Sequence, residues 1–168
     1  MTSIALLRGI NVGPSSRIAM ADLRDLCESL GLSNVRTLLQ SGNVLFDGSI
    51  TPARLEKAIV SRFGYSSRVL ILTGAEFTRV LNENPLLDVA DDPSKMVITF
   101  LEAVPAGIEL PDVEPPERIA LTDRALYQWC PDGILKSTVS PAFWRSLGPR
   151  VTSRNLRTAD RIAAMLDA

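Results

Sequence analysis

Short apolar runs alternate along this chain with segments in which apolar residues recur every three or four positions. The short runs predict buried strands, and the recurring pattern predicts amphipathic helices. In the first half of the chain the elements follow the order βαββαβ, with strands over Ile4–Arg8, Val35–Gln40, Val44–Phe46 and Val69–Leu72. One helix is expected between the first and second strands, and another between the third and fourth.

Capping residues support the predicted helices. Thr51-Pro52 supplies the cap and the first residue of the second helix, and Gly64 ends it. Thr73 and Glu76 have the spacing of a capping box, which predicts a third helix after the fourth strand. The βαββαβ order is typical of a ferredoxin-like unit, in which helices cover one face of an antiparallel sheet.

The second half repeats this pattern in a weaker form. A strand is predicted over Met96–Leu101, followed by a hairpin of Arg118–Thr122 with Ala125–Cys130. A short helix is expected after Ser140-Pro141 and a strand over Arg150–Ser153, and a last amphipathic helix follows. No helix is clearly indicated after the first strand of this half.

The expected fold is α+β, with two ferredoxin-like (βαββαβ-type) subdomains whose antiparallel sheets are covered by helices. The segment 104–117 holds four prolines and is predicted to be a surface connection outside the core. We assign the N-terminal ferredoxin-like subdomain to residues 1–84 and the C-terminal α+β subdomain to residues 85–168.

Composition restricts the class of protein. Of the 168 residues, 46% are apolar and 22% are charged, as in ordinary folded soluble proteins. No apolar run reaches the roughly 18 residues of a membrane span, and no signal-peptide pattern is present, so no membrane partner is expected. The two cysteines, Cys27 and Cys130, lie far apart among apolar residues, which favours a reduced cytoplasmic protein.

Histidine is absent from the sequence. Its absence removes the commonest general base and most zinc sites, and no metal is expected.

The net charge of −1 hides an asymmetry, because residues 85–135 hold ten acids and three bases, whereas residues 136–168 hold two acids and six bases. Such blocks are either solvated surface or a basic face suited to an anionic partner.

Polar residues form four clusters in predicted loops and at element ends, where binding residues are commonly found. The first cluster combines two glycines, an asparagine and two arginines, which suits an anionic group because guanidinium and backbone N–H groups both donate to anions. The candidate ligand-binding residues are Arg8, Asn11, Gly13 and Arg17 in the first cluster, Gln40, Ser41, Gly42 and Asn43 in the second, Lys136 (beside Ser137) in the third, and Arg154 and Asn155 in the fourth.

The first two clusters are expected to share one site. In a βαββαβ sheet the first and third strands are adjacent and antiparallel. The end of the first strand at Arg8 should therefore meet the start of the third strand near Asn43.

Each cluster also has an ordinary structural explanation. Gln40–Asn43 fits a hairpin turn, which uses glycine and asparagine for positive φ. Arg8 can pair with Asp22 or Asp25, and Arg154-Asn155 can start the last helix.

Several specific motifs are absent. Gly133 to Ser137 lacks the glycines of a phosphate-binding P-loop, and Gly9 with Gly13 does not form a dinucleotide fingerprint. The strand over Ile98–Leu101 lacks the aromatic pattern of an RNA-recognition sheet. Base-stacking recognition of nucleic acid is therefore not favoured, whereas binding to a phosphate backbone remains open.

The same clusters resemble sequence motifs of the bacterial DUF1697 family. The family's opening resembles residues 5–13 (Ala-Leu-Leu-Arg-Gly-Ile-Asn-Val-Gly), Arg17-Ile18 and residues 20–24, and later motifs resemble Gln40–Val44, Asp132-Gly133 with Lys136-Ser137, and Thr152–Asn155. The resemblance covers nearly the whole chain. It implies an α+β fold with ferredoxin-like subdomains, and it implies no known activity, substrate or cofactor.

Three functions are consistent with these patterns. The favoured one is a cytoplasmic binding module for a small anionic ligand, such as a nucleotide or phosphorylated metabolite. Arg8 and Arg17 would bind the anion, and Lys136 and Arg154 would close the site over it. The second is a protein- or nucleic-acid-interaction module that uses a sheet edge, with pairing as a homodimer also open. The third is a histidine-free enzyme that uses Lys136 or a loop carboxylate such as Asp132 as acid or base. None of these identifies a cofactor.

Overall fold

The computed structural model describes residues 1–168 and shows a mixed α+β fold with two four-stranded antiparallel sheets. The predicted fold class is therefore confirmed. The chain divides into two compact units, which are residues 1–77 with 165–168, and residues 78–164. This division falls earlier in the chain than the expected 84/85 boundary and lies inside a helix.

The first unit contains one sheet with strand order β2-β3-β1-β4, in which every neighbouring pair is antiparallel. This is the order of a ferredoxin-like sheet, as the βαββαβ pattern predicts. The elements are β1 (Thr2–Leu7), α1 (Met20–Ser29), β2 (Ser33–Leu38), β3 (Asn43–Asp47), α2 (Pro52–Phe63), β4 (Val69–Thr73) and α3 (Gly74–Asn82), the last of which carries the division between the units.

The core of the first unit lies between the sheet and the helices α1 and α2. Successive residues of a strand point to opposite faces, so Ala5 and Leu7 project together to the helix side. There they belong to one buried cluster with Phe46 of β3, Leu23 of α1 and Leu55 of α2. Full burial of a leucine or phenylalanine side chain stabilises a fold by about 1.5–3 kcal/mol. This cluster therefore holds both helices on the sheet.

The predicted helix caps are present. The Thr51 hydroxyl accepts from the Arg54 amide across 3.2 Å, and Gly64 ends α2 with a left-handed φ of +81°. In the capping box, the Glu76 amide donates to Thr73 Oγ1 across 3.1 Å, and the Thr73 amide donates to Glu76 Oε2 across 2.8 Å. The start of α3 is therefore determined by two residues three positions apart.

The second unit has strand order β6-β7-β5-β8, again with antiparallel neighbours. The order matches that of the first sheet when the strands are numbered within each unit. The elements are β5 (Met96–Leu101), β6 (Arg118–Leu121), β7 (Ala125–Trp129), a 3₁₀ turn (Ile134–Lys136), α4 (Pro141–Ser146), β8 (Val151–Asn155) and α5 (Leu156–Leu166). No helix in the protein has the length and apolar character needed to cross a bilayer.

The connection between β5 and β6 differs from the prediction. It contains no helix, as expected, but Val104 and Ile108 pack against the buried cluster that includes Leu126 of β7. The prediction of a connection outside the core was therefore wrong for these two residues. An uncovered sheet face needs apolar cover, and the loop supplies it in place of the missing helix.

Candidate functional site

The end of β1 and the turn between β2 and β3 lie together in the first unit. Leu6 is opposite Asn43 in the sheet register, and the Leu7 amide donates to the Gly42 carbonyl across 2.9 Å. The predicted meeting of these two strand ends is confirmed. Arg8, which follows β1, is therefore at the same end of the sheet as the 39–42 turn.

Gly42 and Asn43 build this turn. Gly42 has a φ of +86°, and a Cβ there would lie 2.7 Å from Ile10 Cδ1 and 2.9 Å from Leu7 Cβ. Asn43 is fully buried, and its side-chain amide donates to the Leu38 carbonyl and to Ser41 Oγ. Neither presents a side chain to solvent, and their contribution to ligand binding stays a prediction. The hairpin-turn interpretation is correct for this pair.

Asn11 braces the loop of residues 8–19, which we call loop 8–19. Its side-chain amide donates to the Gln40 carbonyl across 2.7 Å and to the Ile18 carbonyl across 3.0 Å, and its Oδ1 accepts from the Ile18 amide across 2.8 Å. Its backbone has a left-handed φ of +53°, which asparagine tolerates better than most residues. These bonds occupy both amide hydrogens of Asn11, and its contribution to ligand binding stays a prediction.

Two further residues anchor loop 8–19, and the sequence patterns did not single them out. Tyr65 Oη donates to the Ser16 carbonyl across 2.5 Å, and Ser67 Oγ donates to the Arg8 carbonyl across 2.8 Å. Desolvation raises the pKa of Tyr65, so its phenol stays protonated and keeps donating at neutral pH. Both residues follow α2 in an ordinary-looking loop, and nothing in the sequence marks them as anchors.

Arg8 and Arg17 carry the positive charge of this loop. Both are exposed, and neither side chain forms a hydrogen bond or an ion pair. The alternative in which Arg8 pairs with Asp22 or Asp25 is therefore not realised. Gly13, in the same loop, has open space where a Cβ would lie.

A surface pocket of about 410 Å³ opens beside this loop. Its lining residues are Asn11, Arg17, Ile18, Ala19 and Gln40. Gln40 is exposed, and so is Ser41, which follows it in the chain. Ala19 also precedes α1 without providing a side-chain cap, so no side chain satisfies the first amides of that helix.

In the second unit, Ser137 belongs to a polar network. Its hydroxyl donates to Glu117 Oε2 across 2.6 Å and accepts from Gln128 Nε2 across 2.7 Å and from the Val139 amide across 3.2 Å. Gln128 Nε2 also donates to Glu117 Oε2 across 2.5 Å. With its proton and both lone pairs engaged, this hydroxyl holds the segment after the 3₁₀ turn in place.

The sequence patterns missed Glu117 and Gln128. The available signal was Gln128, a polar residue within the apolar run of β7, because a buried amide requires hydrogen-bond partners. A pocket of about 180 Å³ adjoins the network and is lined in part by Asp132 and Lys136. Lys136 is exposed at the end of the 3₁₀ turn.

Arg154 and Asn155 end β8. Arg154 donates to Thr152 Oγ1 and to the Ser153 carbonyl, each across 2.9 Å, and burial lowers its pKa to about 10. Asn155 Oδ1 accepts from the Thr158 amide across 2.9 Å and so caps α5. This agrees with the alternative in which Arg154-Asn155 starts the last helix. The expected contribution of Lys136, Arg154 and Asn155 to anion binding stays a prediction.

The two cysteines are not activated as nucleophiles. Cys27 and Cys130 are free and buried, and burial raises their pKa values to about 11 and about 12. Thiols with raised pKa are weak nucleophiles at neutral pH. No group of three or more Asp, Glu, Cys or His side chains is arranged to hold a metal ion.

Comparison with known proteins supports the fold and leaves the ligand open. A family model described as "Protein of unknown function (DUF1697)" matches residues 1–127. Among solved structures, the chain is similar to the conserved bacterial protein SP0830 from Streptococcus pneumoniae, with a TM-score of 0.68 and 22% sequence identity over 98% of each chain. At this identity the similarity shows a shared fold. No curated protein is similar enough to the chain to count as a match.

Proposed function

Because the chain belongs to the DUF1697 family of proteins of unknown function, we propose its role from its own site: it is a cytoplasmic binding protein for a small anionic ligand. A nucleotide or a phosphorylated metabolite has the required chemistry. The observation that carries the proposal is the pair of exposed guanidinium groups, Arg8 and Arg17, on one braced loop without ion-pair partners. The two free, buried thiols fit the reducing conditions of the cytoplasm.

Guanidinium groups suit this task. A guanidinium is planar, always charged at physiological pH, and can donate two parallel hydrogen bonds to a phosphate or carboxylate. At some surface positions a nearby carboxylate takes up this capacity, as Glu83 and Asp123 do for Arg79. Arg8 and Arg17 keep that capacity for a ligand.

The loop that carries them is held in place before a ligand arrives. Asn11, Tyr65 and Ser67 tie loop 8–19 to the 39–42 turn and to the segment after α2. Binding to an ordered loop avoids much of the entropy loss that ordering a mobile loop requires. The start of α1 beside Ala19 has no side-chain cap, and the partial positive charge of its amides favours an anion, although Asp22 in the first turn offsets part of it.

A thermal-shift titration tests the proposal. Inorganic phosphate, AMP, a sugar phosphate and chloride are titrated against the parent protein and the Arg8→Ala/Arg17→Ala variant. The matched control is Arg145→Ala/Arg161→Ala, which removes the same charge from exposed positions of the second unit. A ligand at 100 times its dissociation constant stabilises by about 2.7 kcal/mol, and each kcal/mol shifts the midpoint by about 2–4 °C for a chain of this size.

We expect a phosphate-bearing compound to raise the midpoint of the parent and of the control variant by about 5–10 °C. The Arg8→Ala/Arg17→Ala variant should show no shift while keeping its unliganded midpoint. If no anion shifts the parent protein, or if the shift survives in that variant, the proposal is wrong.

A further inference from the structure

Two apolar side chains are exposed beside the basic loop. Val12 is 80% exposed and Leu39 is 43% exposed. Val12 follows Asn11 and Leu39 precedes Gln40, so the two apolar residues flank the hydrogen bond that joins loop 8–19 to the turn. Single exposed apolar residues are ordinary on protein surfaces. Leu39 differs from them in its backbone.

Leu39 has a φ of +60°, in the left-handed region. That region is open to glycine and tolerated by asparagine, but it is strained for a leucine. A turn that only reverses the chain would be more stable with either of those residues. Strained backbone that persists in a fold commonly marks a position where the side chain has a function.

The adjoining pocket combines apolar and charged walls. The exposed Ala19 contributes hydrocarbon to its lining, and Arg17 contributes a guanidinium. A fully hydrated anion such as inorganic phosphate has no group that would cover the hydrocarbon. A ligand with both an anionic and an apolar part would use both kinds of wall.

From this juxtaposition we infer that the ligand is an amphiphilic anion, a phosphate monoester that carries an apolar group. Its phosphate binds Arg8 and Arg17, and its apolar part lies against Val12 and Leu39 beside Ala19. This inference rests on the proposed function and adds to it the chemical class of the ligand.

A homologous series of alkyl phosphates tests the inference by isothermal titration. Inorganic, methyl, butyl and hexyl phosphate present the same headgroup with increasing hydrocarbon. Affinity should increase by up to about fourfold for each methylene that becomes buried. Vesicles that contain phosphatidic acid are titrated in parallel, to separate a free monoester from a membrane lipid with the same headgroup.

The Leu39→Asn variant supplies the sharper measurement. Asparagine keeps the left-handed turn and removes the apolar side chain, so the variant should be at least as heat-stable as the parent. Its affinity for hexyl phosphate should fall on the order of tenfold, with unchanged affinity for inorganic phosphate. Leu135→Asn is the matched control, because Leu135 is 98% exposed and lies in the second unit. This substitution should leave every affinity unchanged.

The outcomes separate the two proposals. If all four phosphates bind with equal affinity through Arg8 and Arg17, the amphiphilic class is wrong and the anion site stands. If binding is seen only on the vesicles, a free monoester is excluded as the ligand. If no phosphate binds in any arm, the anion site fails and the inference fails with it.

Discussion

The side-chain amide of Asn11 donates to the backbone carbonyl of Gln40 across 2.7 Å, and this hydrogen bond joins two segments that are 29 positions apart in the chain. One segment carries the two unpaired arginines, and the other carries the strained Leu39. Asn11 therefore holds the segment that carries the arginines against the segment that carries Leu39.

Replacement of Asn11 should test this bracing role. Asn11→Ala loses three side-chain hydrogen bonds and places alanine at a positive φ, so we expect a loss of about 2–3 kcal/mol in the free energy of unfolding. Asn11→Gly keeps the backbone conformation and loses only the amide. Urea denaturation of both variants separates the two contributions, and equal stability of Asn11→Ala and the parent would contradict the assigned role.

Gly42 should tolerate no side chain. Alanine there would place Cβ 2.7 Å from Ile10 Cδ1 and 2.9 Å from Leu7 Cβ, at a φ of +86°. We expect Gly42→Ala to destabilise the protein by about 2–4 kcal/mol. Gly64→Ala is the control, because its φ of +81° is similar but its Cβ would meet nothing within 4 Å. The control should lose only about 1–2 kcal/mol in the same denaturation experiment.

Glu117 should hold the segment after the 3₁₀ turn. The Glu117→Gln variant removes the charge from the group that accepts from Gln128 and Ser137 and places an amide donor against the Thr138 amide, so a loss of about 1–3 kcal/mol is expected. Glu114→Gln removes the same charge from an exposed neighbour and should change stability by no more than about 0.5 kcal/mol. Hydrogen exchange at the Val139 amide, which donates to Ser137 Oγ, reports the local effect. An unchanged exchange rate of the Val139 amide in Glu117→Gln would show that Glu117 does not hold this segment.

Stability should fall above pH 9 because of the buried thiols. Burial raises the pKa of Cys27 from 9.0 to about 11 and that of Cys130 from 9.0 to about 12. The unfolded thiols release protons first, so the stabilisation is complete below pH 9 and is lost as pH rises through the folded values. Each thiol contributes a slope of about 1.4 kcal/mol per pH unit in this window.

Urea denaturation at steps between pH 8 and pH 12, under reducing conditions, measures this slope. The Cys27→Ala/Cys130→Ala variant is the control, and its stability should depend less steeply on pH over the same range. Parallel curves for the two proteins would show that the thiols are accessible to solvent in the folded state.

The sequence by itself determined the order of the elements and the starts of the main helices. The capping box of Thr73 and Glu76 and the cap at Thr51 involve residues three positions apart, so their hydrogen bonds are encoded locally. The antiparallel pairing of β1 with β3 followed from the βαββαβ order. Topology alone then brought Arg8 to the 39–42 turn.

Only the tertiary structure decided what each polar residue does. Asn43 carries the same amide as any ligand-binding asparagine, but the sheet buries it completely. Glu117 and Ser137 are 20 positions apart, and Tyr65 and Ser16 are 49 apart, so no local pattern reveals their bonds. Whether a side chain braces the fold or stays available for a ligand depends on which distant groups the packed chain brings within hydrogen-bond distance. That depends on long-range packing, which local sequence patterns do not encode.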